Sequence, residues 1–193
     1  MSKRILKKIF DFRPLTPKIW SDFEKLFGER GACGGCWCMT WRLTRRQFKK
    51  QKGEGNKRAM KRIVSRGEVP GIIAYNGKEP VGWCSVAPRE NFPVLDNSRV
   101  LARVDEKEVW SIVCLFISKA FRRKGLSSIL LKWAAEYACK RGAKIVEGYP
   151  YDLGKQVLPD PFVWTGLAPA YLKAGFREVA RRSSKRPIMR FFR

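Results

Sequence analysis

Apolar positions along this chain follow two rhythms, short continuous runs and stripes at helical spacing. Residues Trp110–Ile117 are apolar apart from Ser111 and rich in β-branched and aromatic types, the pattern of a buried strand. Over residues 125–141, Leu126, Ile129, Leu130, Trp133, Ala134, Tyr137 and Ala138 fall on one helical face, with Ser128, Lys132, Glu136 and Lys140 opposite. The same reading predicts a strand at 10–13 and a helix opened by Thr16-Pro17 and stopped by Gly28. Thr44-Arg45-Arg46-Gln47 is a capping-box pattern, opening a second helix that is interrupted at 53–56 and resumes to about Arg66. Strands at 69–75 and 80–86 are joined by Asn76-Gly77, a hairpin signal. A long loop over 87–105 precedes the central strand. A strand at 144–148, a Pro-rich aromatic loop over 149–164, a short helix over 165–174 and strands at 176–181 and 187–192 complete the chain. The order is β-α-α-β-β-β-α-β-α-β-β. No repeat or low-complexity linker interrupts it, so residues 1–193 are read as one α/β domain.

The turn between the central strand and its helix is where chemistry first enters. Arg122-Arg123-Lys124-Gly125-Leu126-Ser127 delivers unpaired N–H groups and the positive end of a helix dipole, a natural seat for a phosphate. Gly125 permits close backbone approach, and three cations flank it. An ordinary loop with solvated charges would also satisfy this stretch taken alone.

Two longer strings narrow the choice. Leu115-Phe116-Ile117, followed after four residues by Arg122-x-x-Gly125-x-Ser127, resembles the acetyl-CoA-binding motif of the GNAT N-acetyltransferases. Ser127 stands where that motif usually carries Gly or Ala. Ala170-Tyr171-Leu172-Lys173-Ala174-Gly175-Phe176 resembles a second, later segment of the same family, and certain uncharacterised members are similar at Cys33-Gly34-Gly35-Cys36-Trp37-Cys38. The resemblance covers nearly the whole chain. It implies the GNAT fold, a mixed central sheet flanked by helices, with acetyl-CoA as cofactor. It also implies backbone groups of Leu115, Phe116 and Ile117 pairing with pantetheine, one N–H polarising the thioester carbonyl. N–H groups of Arg123, Lys124, Gly125, Leu126 and Ser127 would face phosphates, with Arg122 at the motif's first position.

The resemblance further implies that the Tyr171 hydroxyl lies near the departing CoA sulfur. A phenol with a pKa of about 10 can protonate a thiolate whose parent thiol is near 8.5. The other reading of Tyr171 is a core tyrosine whose helix stops at Gly175. Histone-modifying members carry a Glu on the central strand, and Ser111 stands in that place here. Glu147 is the preferred base for the acceptor amine, because partial burial would raise its pKa; Glu108 and Asp152 are alternatives. Cys114 reads as a small buried hydrophobe rather than an acyl carrier, so direct transfer in a ternary complex is expected.

Composition adds two constraints. Lysine and arginine number 41 against 17 acids, a net charge of +24, and residues 44–66 hold ten bases and one acid. Such a surface suits CoA, an acidic protein or RNA, and equally serves solubility. The chain has no histidine, which leaves acid–base work to carboxylates, Tyr, Cys, Lys or water. Cys33, Cys36 and Cys38 suggest zinc, but a closed site needs four ligands, and Cys84, Cys114 and Cys139 fall in core elements, so no metal is expected. The small residues of this segment are expected in a tight loop and short strand, and with Trp37 and Trp41 they wall a substrate pocket if the family's layout holds. No apolar run reaches the roughly 20 residues of a membrane span, and the basic N-terminus lacks the apolar core of a signal peptide, which points to a cytoplasmic protein with free thiols. The expectation is an acetyl-CoA-dependent N-acetyltransferase acting on a primary amine of a small molecule. A protein or ribosomal acceptor, a non-catalytic CoA- or nucleic-acid-binding module, and a homodimer stay open.

Overall fold

The computed structural model describes residues 10–154 and 156–193; the basic N-terminal stretch lies outside the described residues. Strands β1 (Phe10–Pro14), β2 (Gly71–Asn76), β3 (Glu79–Pro88), β4 (Trp110–Ile117), β5 (Ile145–Gly148), β6 (Arg177–Arg181) and β7 (Pro187–Phe192) form one seven-stranded sheet in the order β1-β2-β3-β4-β5-β7-β6. All neighbours run antiparallel except β4 and β5, which are parallel. A parallel pair needs a crossover. Helix α4 (Leu126–Lys140) supplies it, after α1 (Trp20–Phe27), α2 (Arg45–Lys50) and α3 (Glu54–Ser65) and before α5 (Ala168–Ala174).

The helices divide between the two sheet faces, and each face buries its own core. On one, Leu126, Leu130, Leu131 and Ala134 of α4 pack on Phe12, Ile72, Val81 and Ile112, with Tyr171 of α5 beside them. A Cβ at Gly82 would come within 3.3 Å of Ala74 and 3.4 Å of Leu130, a tight fit beneath α4. The opposite core gathers Phe23 and Phe27 of α1, Met60 and Val64 of α3, Trp37 and Met39 around Trp83.

Local signals explain several boundaries. Thr44 and Gln47 form the expected reciprocal capping box at α2. Asn76 pairs with Glu79 across a two-residue turn in which Gly77 takes φ 59°. Gly175, at φ 96°, stops α5. Other boundaries differ from the sequence reading. Helix α5 begins only at Ala168, because Gly166 and Ala168 are hydrogen-bonded to Tyr151 at 2.9 and 2.8 Å, which holds 165–167 in the loop. The expected long loop after residue 87 is anchored: Arg89, Phe92, Leu95 and Leu101 are all buried, with single 3-10 turns at Arg89–Asn91 and Pro93–Leu95. The Cys-rich segment makes no strand. Positive φ at Gly31, Ala32, Gly34, Gly35, Trp37 and Cys38 folds it into successive tight turns instead. No helix among the described residues is long and apolar enough to cross a membrane.

Candidate active site

The site forms where β4 and β5 part. Their ladder covers Trp110–Ile112 against Val146–Gly148 and then stops, so the later half of β4 turns an unladdered edge toward the gap. That edge is closed by side chains and loops. Trp41 Nε1 donates to the Val113 carbonyl at 3.1 Å, and Arg122 Nε to the Ile117 carbonyl at 2.9 Å. The Leu115 N–H donates to the Trp164 carbonyl at 2.7 Å. One residue further along the same loop, the Thr165 carbonyl accepts from the Tyr171 hydroxyl at 3.1 Å. Residues 164 and 165 thus cap both an amide on β4 and the phenol of α5 with main-chain oxygens.

Tyr171 is fully buried, clamped between two glycines. A Cβ at Gly148 would run into its ring, and one at Gly166 would come within 3.0 Å. Burial holds the hydroxyl well above its ordinary pKa, so it keeps its proton. At the far end of β4 the chain makes the basic turn. Arg123 and Gly125 take φ 59° and 80°, and Gly125 caps a helix of 15 residues with no side-chain cap hydrogen bond among the described residues. A Cβ on Gly125 would meet nothing within 4 Å. Open space over a run of amides at a helix start is the shape an anion needs.

Against the later half of β4 lies a cavity of about 270 Å³, walled by Phe27, Trp41, Phe48, Phe116 and Trp164, with the buried Cys38, Cys114 and Leu115 at its floor. The Trp41 and Trp164 rings meet within this lining at a tilt of 39°, their centres 5.6 Å apart. Cys33, Cys36 and Lys52 complete its margin, whereas Trp37 turns into the core.

Glu147 is not brought to this cavity. Its carboxylate is fully buried, with Oε1 accepting from Arg89 Nη1 (3.2 Å) and the Tyr149 hydroxyl (2.8 Å) and Oε2 from Arg190 Nε (2.7 Å). The partial burial that the sequence suggested is complete burial within a closed ion network, so the base assignment loses its geometric footing. Ser111 joins the same network through the Tyr149 hydroxyl at 2.9 Å. Asp152 is held by Arg181 at 2.8 Å, and Glu108 lies in a separate groove at the opposite end of β4. No group of three or more Cys, Asp or Glu side chains suited to a metal ion exists among the described residues.

The model of the acetyltransferase (GNAT) family matches residues 37–149, more than half of the sequence. The chain belongs to the GNAT family. No curated protein matches it in sequence. Solved structures share its fold at low identity. A GNAT acetyltransferase from Streptococcus agalactiae is 15% identical with a TM-score of 0.57, covering 95% of each chain. The PaiA N-acetyltransferase of Thermoplasma acidophilum, solved with coenzyme A, is 14% identical with a TM-score of 0.53, over 95% of this chain and 98% of its own. Arabidopsis thaliana NAA60, solved with acetyl-CoA, is 16% identical with a TM-score of 0.50, over 95% and 99%.

Within this GNAT domain, the residues singled out in sequence separate into two groups. Leu115 and Tyr171 meet the same loop, at the Trp164 and Thr165 carbonyls, while Phe116 lines the cavity and the Ile117 carbonyl accepts from Arg122 at the start of the basic turn. Glu147 stands apart in the ion network. Sequence reasoning missed the capping carbonyls of Trp164 and Thr165. Backbone carbonyls carry no sequence signal, and the partners of Leu115 and Tyr171 are fixed only by how the loop returns to Tyr151.

Proposed function

We propose that this GNAT protein transfers the acetyl group of acetyl-CoA to a primary amine of a small molecule. The observation that supports this most is the aromatic cavity against β4 at Leu115, walled on one side by the Cys-rich turns and on the other by the Trp164 loop. A protein terminus would fit an open groove better than a walled cavity of this volume. The turn from Arg122 to Ser127 fits the donor's phosphates, since its positive-φ backbone leaves room over Gly125.

Bound acetyl-CoA supplies the acetyl group already activated as a thioester. The protein's part is to bind, to polarise and to place protons. Withdrawal of the Trp164 carbonyl leaves the Leu115 N–H to polarise an acyl oxygen. A backbone donor so placed is worth about 2.7–4 kcal/mol when it strengthens toward the transition state. Withdrawal of the Thr165 carbonyl leaves the Tyr171 hydroxyl to give its proton to a departing sulfur. Its raised pKa ensures that it starts protonated.

Calorimetric titration with acetyl-CoA, followed by thiol release with a panel of aliphatic amines, aromatic amines and short peptides, tests the reading. Donor binding in the micromolar range and transfer to small amines is expected. Transfer confined to peptides would refute the small-molecule acceptor, and folded protein that binds no donor would refute the whole assignment. Tyr171→Phe should lower kcat by about 10²-fold, the lower end of general-acid contributions, with donor affinity within about twofold. Steady-state kinetics beside the titration measure both, and unchanged turnover would remove Tyr171 from the mechanism.

A further inference from the structure

The cavity floor contains a sulfur whose surroundings suit an anion. Cys38 is buried and lines the cavity beside Cys114. Its backbone is held out of the ordinary regions, with Trp37 at φ 42° and Cys38 at φ 57°, two consecutive non-glycine residues in the left-handed region. Such a conformation persists only where surrounding contacts enforce it. One of those contacts is the Trp83 indole N–H, which donates to Cys38 Sγ at 3.2 Å. The Cys114 thiol lines the same cavity beside it. A neutral thiol is a weak acceptor, and a buried N–H aimed at the sulfur suits a thiolate.

Arg42 gives a second, independent sign. Its Nε and Nη2 are buried and have no hydrogen-bond partner among the described residues, while its guanidinium lies 4.5 Å from the centre of the Phe92 ring. Guanidinium N–H groups buried without an acceptor are costly. A thiolate at Cys38 would be the negative charge acting most on this cation, ahead of Glu68.

We propose that Cys38 sits in the cavity floor as a thiolate balanced by Arg42 and takes the proton from the incoming acceptor ammonium. The inference rests on the acetyl-transfer reading given above. An acceptor with a lysine-like amine of pKa near 10 arrives mostly protonated and without a nucleophilic lone pair. In the step proposed, an N–H bond of the ammonium breaks, a thiol S–H bond forms on Cys38, and the nitrogen keeps the pair it needs for attack. After product release the thiol returns its proton to water. Among the described lining side chains there is no carboxylate to compete for this task, and Glu147 is closed off in its ion network.

The titration of the neighbours agrees. Burial tends to raise the Cys38 thiol, but the polar groups around its sulfur, the Trp83 N–H among them, and the Arg42 charge outweigh it, bringing it down to about 7. Cys114, beside the Cys38 sulfur and buried, is pushed well above its ordinary value and stays a thiol. The other titratable groups facing Cys38 are Cys36 from its own segment and Cys84 from β3, both raised by burial and so neutral.

The test is iodoacetamide labelling across pH on the full chain, each cysteine followed by peptide mapping. Cys38 should be labelled with a midpoint near pH 7, about the value its surroundings give it, and Arg42→Gln should move that midpoint up by about one unit or more, as expected when a charge partner is removed. A wild-type midpoint at or above about 8.5, the value of a free thiol, overturns the inference while leaving acetyl transfer standing. In the transfer assay, the acidic limb of kcat/KM should follow the labelling midpoint, and Cys38→Ser should lower neutral-pH kcat/KM at least tenfold. A Cys38→Ser profile matching wild type overturns the proton-acceptor role, as does an acetylated Cys38 formed from acetyl-CoA alone, which would make the sulfur a nucleophile. A thiolate at Cys38 in folded protein that binds no acetyl-CoA strikes the transfer reading and, with it, the role proposed for this sulfur.

Discussion

Glu147→Ala protein is expected to unfold at a markedly lower urea concentration than wild type, with a loss of about 3–5 kcal/mol, the usual cost of breaking a buried ion pair from one side. The side chain accepts from two guanidinium groups that have almost no exposure, Arg89 at 0% and Arg190 at 4%. Its removal leaves both cations buried with reduced compensation. Arg89 would retain Asp96 and the Leu101 carbonyl, and Arg190 would retain its two bonds to Asp105, at 2.7 and 2.9 Å. Those remaining bonds keep the cost within the stated range and make complete loss of folding an unexpected result. The Tyr149 hydroxyl, which bridges Ser111 and Glu147, also loses an acceptor. The measurement separates two accounts of this residue. A variant with near-wild-type stability and abolished turnover would return Glu147 to the role of base.

Gly125→Glu is expected to weaken acetyl-CoA binding by about 10²–10³-fold. A carboxylate about 4 Å from a phosphate is repelled by roughly 1–4 kcal/mol between the aqueous limit and the effective dielectric near a protein surface. Each 1.4 kcal/mol is tenfold, and the side chain also fills the space over the turn. Gly125 has φ 80° and no neighbour that a Cβ would strike. Gly125→Ala is therefore the control. It carries the backbone strain without the charge or the bulk, and should retain most of the affinity. Calorimetric titration of both variants, with thermal unfolding to verify the fold, decides the matter. Wild-type affinity in the Glu variant would move the phosphate site elsewhere.

What could be read from the chain depended on whether the cause lay close in sequence. The strand–turn–helix from Trp110 onward, the Thr44–Gln47 cap and the Gly175 stop all follow from neighbours within a few positions. Arg89 and Glu147 lie 58 positions apart, and Glu147 and Arg190 lie 43 apart. Nothing local marks these charges as paired in a closed network, so the segment holding Arg89 read as a loop and Glu147 as a partly buried base. Cys38 and Arg42 are near in sequence, yet the tight turns that carry Cys38 towards β3 and β4 depend on positive-φ backbone at Trp37 and Cys38, which propensity disfavours. Membership of the GNAT family rests on the short-range signals. The groups that would distinguish this member from its relatives rest on the long-range ones.

The two capping carbonyls have a consequence for affinity. The groups assigned to the donor, the Leu115 amide and the Tyr171 hydroxyl, already have partners within the chain. Donor binding is then an exchange of like for like, and its strength is a small difference between bonds each worth about 0.5–1.5 kcal/mol net. Both competitors are main-chain oxygens, so no change of side chain at 164 or 165 deletes them. The lever lies in the span of the loop and in its seam to Tyr151, which makes donor affinity in this protein a trait that insertions and deletions adjust more readily than point substitutions do.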